Sequence, residues 1–154
     1  MNQKSLLCFF VYSSGALLLA TALAKIVSAF GTAQALQTAD PIFAIQFRFL
    51  FLVVGAIELM AGLFCLMGKR LGLRLLLIAW LATSFVIYRL GLLWLGYHKP
   101  CGCLGTFTDA LHISPQVADL ALKIVLAYFL IGSYSSSIWL WLQNKSAISS
   151  VKSA

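Results

Sequence analysis

The sequence predicts an all-α integral membrane protein, a four-helix bundle with both termini cytoplasmic. Three observations carry this. The chain has 154 residues, of which 62% are apolar and only 10% charged, against about 45–50% and about 25% in ordinary soluble domains. The apolar residues gather into four runs, each long enough to cross a hydrocarbon core of about 30 Å with about 20 helical residues. The basic residues Lys4, Lys69, Arg70, Arg74, Lys145 and Lys152 fall at the start, in the second connection and in the tail, the bias that marks cytoplasmic segments. Residues 1–154 therefore read as a single transmembrane domain. The net charge of +7 follows from that bias. No basic stripe with stacking aromatics is present, so nucleic acid is not an expected partner; the lipid bilayer is.

The first span is expected over residues 6–30. Ala22-Leu23-Ala24 resembles a signal-peptide cleavage site, but the apolar run continues past it to Phe30, which favours a retained helix. Ala16, Ala20 and Ala24 recur every fourth residue and predict a smooth face for close helix packing. Residues 31–41 are polar and lack Lys and Arg, as an outer loop would be. The second span is expected over 42–67. Arg48 stands near its start and Glu58 well inside, among the small residues Gly55, Ala56, Ala61 and Gly62. Gly68-Lys69-Arg70-Leu71-Gly72-Leu73-Arg74 is a tight basic turn, and the third span follows over 73–96. It is free of charge until Arg89, with Trp94 and Tyr97 at its outer interface.

A polar loop over 97–115 comes next. Ser114-Pro115 has the form of a helix start, with serine as N-cap and proline at the first helical position. The fourth span is expected over 116–142, with Trp139 and Trp141 at its inner interface and a loose polar tail beyond. Four spans put the 97–115 loop outside. In a bacterium that is the periplasmic side of the inner membrane, where disulfides persist.

That loop carries Lys99-Pro100-Cys101-Gly102-Cys103-Leu104-Gly105. Disulfide geometry wants Cα atoms about 4.4–6.8 Å apart. Cysteines two positions apart can just meet this, with Gly102 relieving the backbone. Such a bridge is strained, hence easily reduced, and a loop so small restrains the unfolded chain little. The arrangement favours electron exchange by Cys101 and Cys103, which are the candidate catalytic residues. A structural bridge and idle thiols are the bland alternatives. A metal reading from His98, Cys101, Cys103 and His112 is weaker, because structural zinc sites space their cysteines by two to four residues. Cys8 and Cys65 lie toward the inner ends of spans one and two. They read as small buried hydrophobes, out of reach of the pair.

Charge inside a membrane is costly and turns toward a partner. Lys25, Arg48, Arg89 and Lys123 lie in the outer half, and Glu58 is the acid at matching depth. A Glu58–Arg89 pair between spans two and three is the structural expectation, with Arg48 snorkelling to the interface. The functional expectation is a positive pocket made by Lys25, Arg89 and Lys123 beneath the cysteine loop. Positive charge there favours the reactive thiolate, and the pocket suits a quinone head group or another anionic ligand. The residues by themselves fix no cofactor; a quinone is the candidate.

Pro100-Cys101-Gly102-Cys103-Leu104-Gly105 after span three, a lysine late in span one and a glutamate amid small residues in span two resemble the MauE branch of the DoxX-like membrane proteins. That branch often has phenylalanine where Leu104 stands. The resemblance implies a redox-associated inner-membrane protein, linked in methylamine utilisation to maturation of the disulfide-rich small subunit of methylamine dehydrogenase, with a periplasmic thioredoxin-like partner. Cys101 and Cys103 match the family's cysteines, and Lys25 and Glu58 its recurring charged positions. Two other roles stay open. One is a non-enzymatic docking or assembly factor in which the cysteines only shape the loop. The other is a quinone-linked oxidase subunit of the DoxX type.

Overall fold

The computed structural model describes residues 3–31, 34–96 and 114–152. Four helices dominate: α1 (Gln3–Ala29), α2 (Phe47–Met67), α3 (Leu71–Trp94) and α4 (Pro115–Lys152). All four are long and apolar enough to cross a membrane. A helix satisfies its backbone within itself, as lipid requires. Among the described residues there is no strand, only one isolated bridge between Ala39 and Gln46.

The helices alternate in direction. One end of the bundle, the loop end, gathers Ala29, Phe47, Trp94 and Pro115. The other, the turn end, holds the tight connection at 68–70 between α2 and α3. Packing is strongest within two hairpins, α1 with α2 and α3 with α4, and sparse between them. The α1–α2 seam depends on missing side chains. A Cβ at Gly62 would sit 2.9 Å from Leu19 Cγ and 3.1 Å from the Gly15 carbonyl oxygen, and one at Gly55 would sit 2.9 Å from Ile26 Cγ1. Small residues let the two backbones close to this distance. The main core lies in the turn-end half and centre, around Val11, Leu18, Ala61, Cys65, Leu75, Ile78 and Phe129. A smaller cluster of Ala29, Leu36 and Phe51 closes the loop end.

Several expectations need correction. The second span was expected from residue 42, but α2 begins at Phe47, and Pro41 to Ile45 form a turn. The tail beyond Leu142 is helical to Lys152. Of the every-fourth alanines only Ala24 is buried, while Ala16 and Ala20 are exposed, so the pattern as a whole does not mark the packing face. That face instead carries Gly15, Leu19, Ala22 and Ile26. Of the small residues around Glu58, Gly55, Ala61 and Gly62 are buried but Ala56 is exposed. Cys65 is buried as expected, whereas Cys8 is exposed, because it lies on the outer flank of α1.

Candidate functional site

Cys101, Gly102, Cys103 and Pro100 lie outside the described residues, as do His98 and His112. The flanks of their loop are defined. α3 delivers the chain at Trp94 and α4 takes it up at Pro115, with the Val117 N–H donating to the Ser114 carbonyl at 3.0 Å. The helix start expected at Ser114-Pro115 is where α4 begins.

Two ionic clusters stand below that end. In the first, Lys25 Nζ donates to Glu58 Oε1 at 2.5 Å, joining α1 to α2. Glu58 is only 2% exposed, and its Oε2 has no hydrogen-bond partner. Lys25 Nζ also lies 5.4 Å from the centroid of the Phe85 ring on α3, a cation–π distance. In the second, Asp119 accepts from Arg89 at 2.7 Å and from Lys123 at 2.7 Å. The expected Glu58–Arg89 pair is therefore not made. Glu58 faces α1 across the tight small-residue seam, while Arg89 turns toward α4.

The expected positive pocket is divided in the same way. Lys25 is matched by Glu58, and Arg89 and Lys123 share one carboxylate, so that cluster of three carries one net positive charge. Arg48 is exposed near the loop end. Its guanidinium donates to the Ala29 carbonyl at 2.9 Å and to the Gly31 carbonyl at 3.1 Å. A cation on the exposed carbonyls of a helix C-terminus is favourable.

Asp119 falls inside the expected fourth span and was not singled out there. Its position four before Lys123, in a helix opened by Ser114-Pro115, is a sequence signal for an intrahelical pair. The tie to Arg89 needed the fold. Asp40 and Tyr88 were also missed. Tyr88 Oη donates to Asp40 Oδ2, fastening the connection between α1 and α2 onto α3.

Residues 3–142 match the family model described as methylamine utilisation protein MauE. The chain belongs to the MauE family. The match takes in α1, α2, α3, the Cys101–Cys103 segment and α4 as far as Leu142, and it ends before the last ten residues of α4. No curated protein and no solved structure matches the chain. In the sequence of this MauE-family chain Cys101 and Cys103 fall between α3 and α4, and the Arg89–Asp119 pair joins those two helices. Among the described residues no group of three or more His, Cys, Asp or Glu side chains is placed to hold a metal.

The α3–α4 tie is half-exposed, with Arg89 28% and Asp119 16% exposed, which caps its worth near that of an ordinary surface pair. Asp119→Asn is expected to lower stability by about 1 kcal/mol, an effect that shrinks at high salt. Unfolding in mixed micelles at two ionic strengths measures it. A salt-independent loss would assign Asp119 a packing role instead.

Proposed function

We propose that this MauE-family protein is a membrane-held thiol–disulfide exchanger whose Cys101–Cys103 pair faces the periplasm and serves a thioredoxin-like partner. The observation that carries the reading is the Cys-Gly-Cys spacing in the segment joining α3 to α4, within a chain of this family. The steps balance. One thiolate attacks the partner's disulfide, forming a mixed disulfide and releasing a partner thiolate. The second cysteine then attacks the mixed bond, closing Cys101–Cys103 and leaving the partner as a dithiol. The pair is oxidised by two electrons and the partner reduced. The reverse order of steps runs the other way.

The net positive charge of Arg89, Asp119 and Lys123 near the loop's anchor points supports the thiolate form. Lys25 and Glu58 brace the hairpin on which α3 rests. No second pair relays electrons across the bilayer, because Cys8 and Cys65 are free thiols, one exposed and one buried. A quinone in the membrane or a partner subunit therefore completes the circuit, in line with the DoxX-like kinship proposed for the chain. Methylamine utilisation, through maturation of a disulfide-rich periplasmic subunit, is the pathway the family name supports.

Cys101→Ser and Cys103→Ser are each expressed in cells, and thiols are trapped with acid before non-reducing electrophoresis. One of the two variants is expected to accumulate a mixed disulfide with a periplasmic protein. If neither does, exchange is not the activity. If the double Cys→Ser variant also supports maturation normally, the docking role takes its place.

A further inference from the structure

We infer that residues 38–46 are a re-entrant turn seated in the lipid leaflet at the loop end, with Ile42, Phe43 and Ile45 facing the boundary between acyl chains and head groups. The argument begins with depth. Phe43 stacks on Tyr88 with ring centroids 6.1 Å apart and planes 13° from parallel. A Cβ at Gly91 would sit 3.1 Å from Ile42 Cδ1. Tyr88 is six residues short of the end of α3 at Trp94, or about 9 Å along the helix axis. Between them Leu90, Leu93 and Trp94 are 59%, 54% and 92% exposed, so apolar surface continues outward past the level of the turn. The turn folds back beside the span instead of standing clear of it.

The backbone is built for that depth. Irregular backbone survives in a bilayer only when its polar groups are satisfied within the protein. The Asp40 N–H donates to the Ile45 carbonyl at 2.7 Å, the Ala44 N–H to the Asp40 carbonyl at 2.9 Å, and the Phe47 N–H to the Thr38 carbonyl at 3.1 Å. Asp40 Oδ1 accepts from the N–H groups of Ile42 at 2.8 Å and Phe43 at 2.9 Å, while Oδ2 accepts from Tyr88. Asp40 is 1% exposed. Both carboxylate oxygens of Asp40 are thus satisfied within the protein. At the tip of the turn the large outward side chains are apolar: Ile42 is 37%, Phe43 56% and Ile45 43% exposed, while the exposed polar residues Thr38 and Gln46 stand at its two ends. Arg48, at the rim, suits head-group level.

The test uses the unaltered full-length chain in vesicles of phosphatidylethanolamine and phosphatidylglycerol that carry a photoactivatable carbene precursor on the acyl chain. Adducts are mapped by mass spectrometry. Ile42, Phe43 and Ile45 are expected to be labelled within about threefold of Leu90 and Leu93, since all would lie in lipid. Labelling of Leu90 and Leu93 without labelling of residues 42–45 overturns the inference. Asp40→Ala removes the acceptor for three donors and should release the turn, cutting adducts at 42–45 about tenfold while Leu90 stays labelled. Unchanged adducts in that variant would overturn the role given to Asp40. Should the variant not fold, the wild-type map decides alone.

Discussion

Glu58→Ala is expected to cost about 3–5 kcal/mol of stability. Glu58 is 2% exposed and its partner Lys25 12% exposed, on facing sides of the α1–α2 seam. Removing the carboxylate leaves the ammonium without its anion, over the Phe85 ring. A lone ammonium there is only 12% exposed, and breaking a buried pair by removing one partner is costly because it strands the other charge. Replacing both members tells the pair's worth from the penalty of an orphan. Lys25→Met with Glu58→Leu should recover most of the loss, because apolar groups of similar volume often replace buried ion pairs at little cost. Unfolding in mixed micelles of rising denaturing-detergent fraction gives the four corners of the cycle. A coupling of about 2 kcal/mol or more is expected. A single-variant loss below about 1 kcal/mol would put the pair in the class of exposed ones and remove its bracing role.

This pairing also shows where sequence reading stops. The four spans were legible because hydropathy and length are properties of the chain alone. Glu58 was rightly singled out as a buried acid among small residues. Its partner was chosen by depth along the helices, and depth says nothing about rotation. Lys25 and Arg89 both lie within a turn or two of the loop end. Only the closeness of α1 and α2, enforced at Gly55 and Gly62, decides that Glu58 meets Lys25. Asp119 then becomes the acid for Arg89.

The start of α2 was misjudged for a related reason. Ile42, Phe43, Ala44 and Ile45 have the hydropathy of a span whether they are helical or not. Their shape is set by Asp40, which gathers the Ile42 and Phe43 N–H groups, and by Ala44, which adopts φ 54°, a backbone state uncommon outside glycine. Neither is visible as a gap in the apolar run. The exposed Ala16 and Ala20 make the same point for packing: a repeat of small residues offers a face, but the partner helix has to take it. The cysteine pair stood out through its spacing, a local property that needs no fold.

Gly132→Ala is expected to destabilise the protein by about 1–3 kcal/mol, far more than one methyl group on a lipid-facing helix would suggest. The reason is the close approach of α1. A Cβ at Gly132 would lie 2.0 Å from Phe10 Cε2 and 2.4 Å from Phe10 Cζ. Phe10 cannot simply swing away. It is 6% exposed, belongs to the main core beside Val11 and Phe129, and meets the Tyr128 ring edge-on at 5.2 Å. Tyr128 in turn shares a 2.7 Å hydrogen bond with Ser13. Phe10, Ser13, Tyr128 and Gly132 thus form the contact between α1 and α4, and α4 is the least buried of the four spans. Displacing the ring loosens the helix that also carries Asp119, so the Arg89 tie should weaken with it. Phe10→Leu in the Gly132→Ala background frees the space and should return about half of the loss, giving a double variant more stable than additivity allows. Strict additivity of the two changes would mean that the ring does not rest on the glycine, and that α4 is held by its pairing with α3 alone.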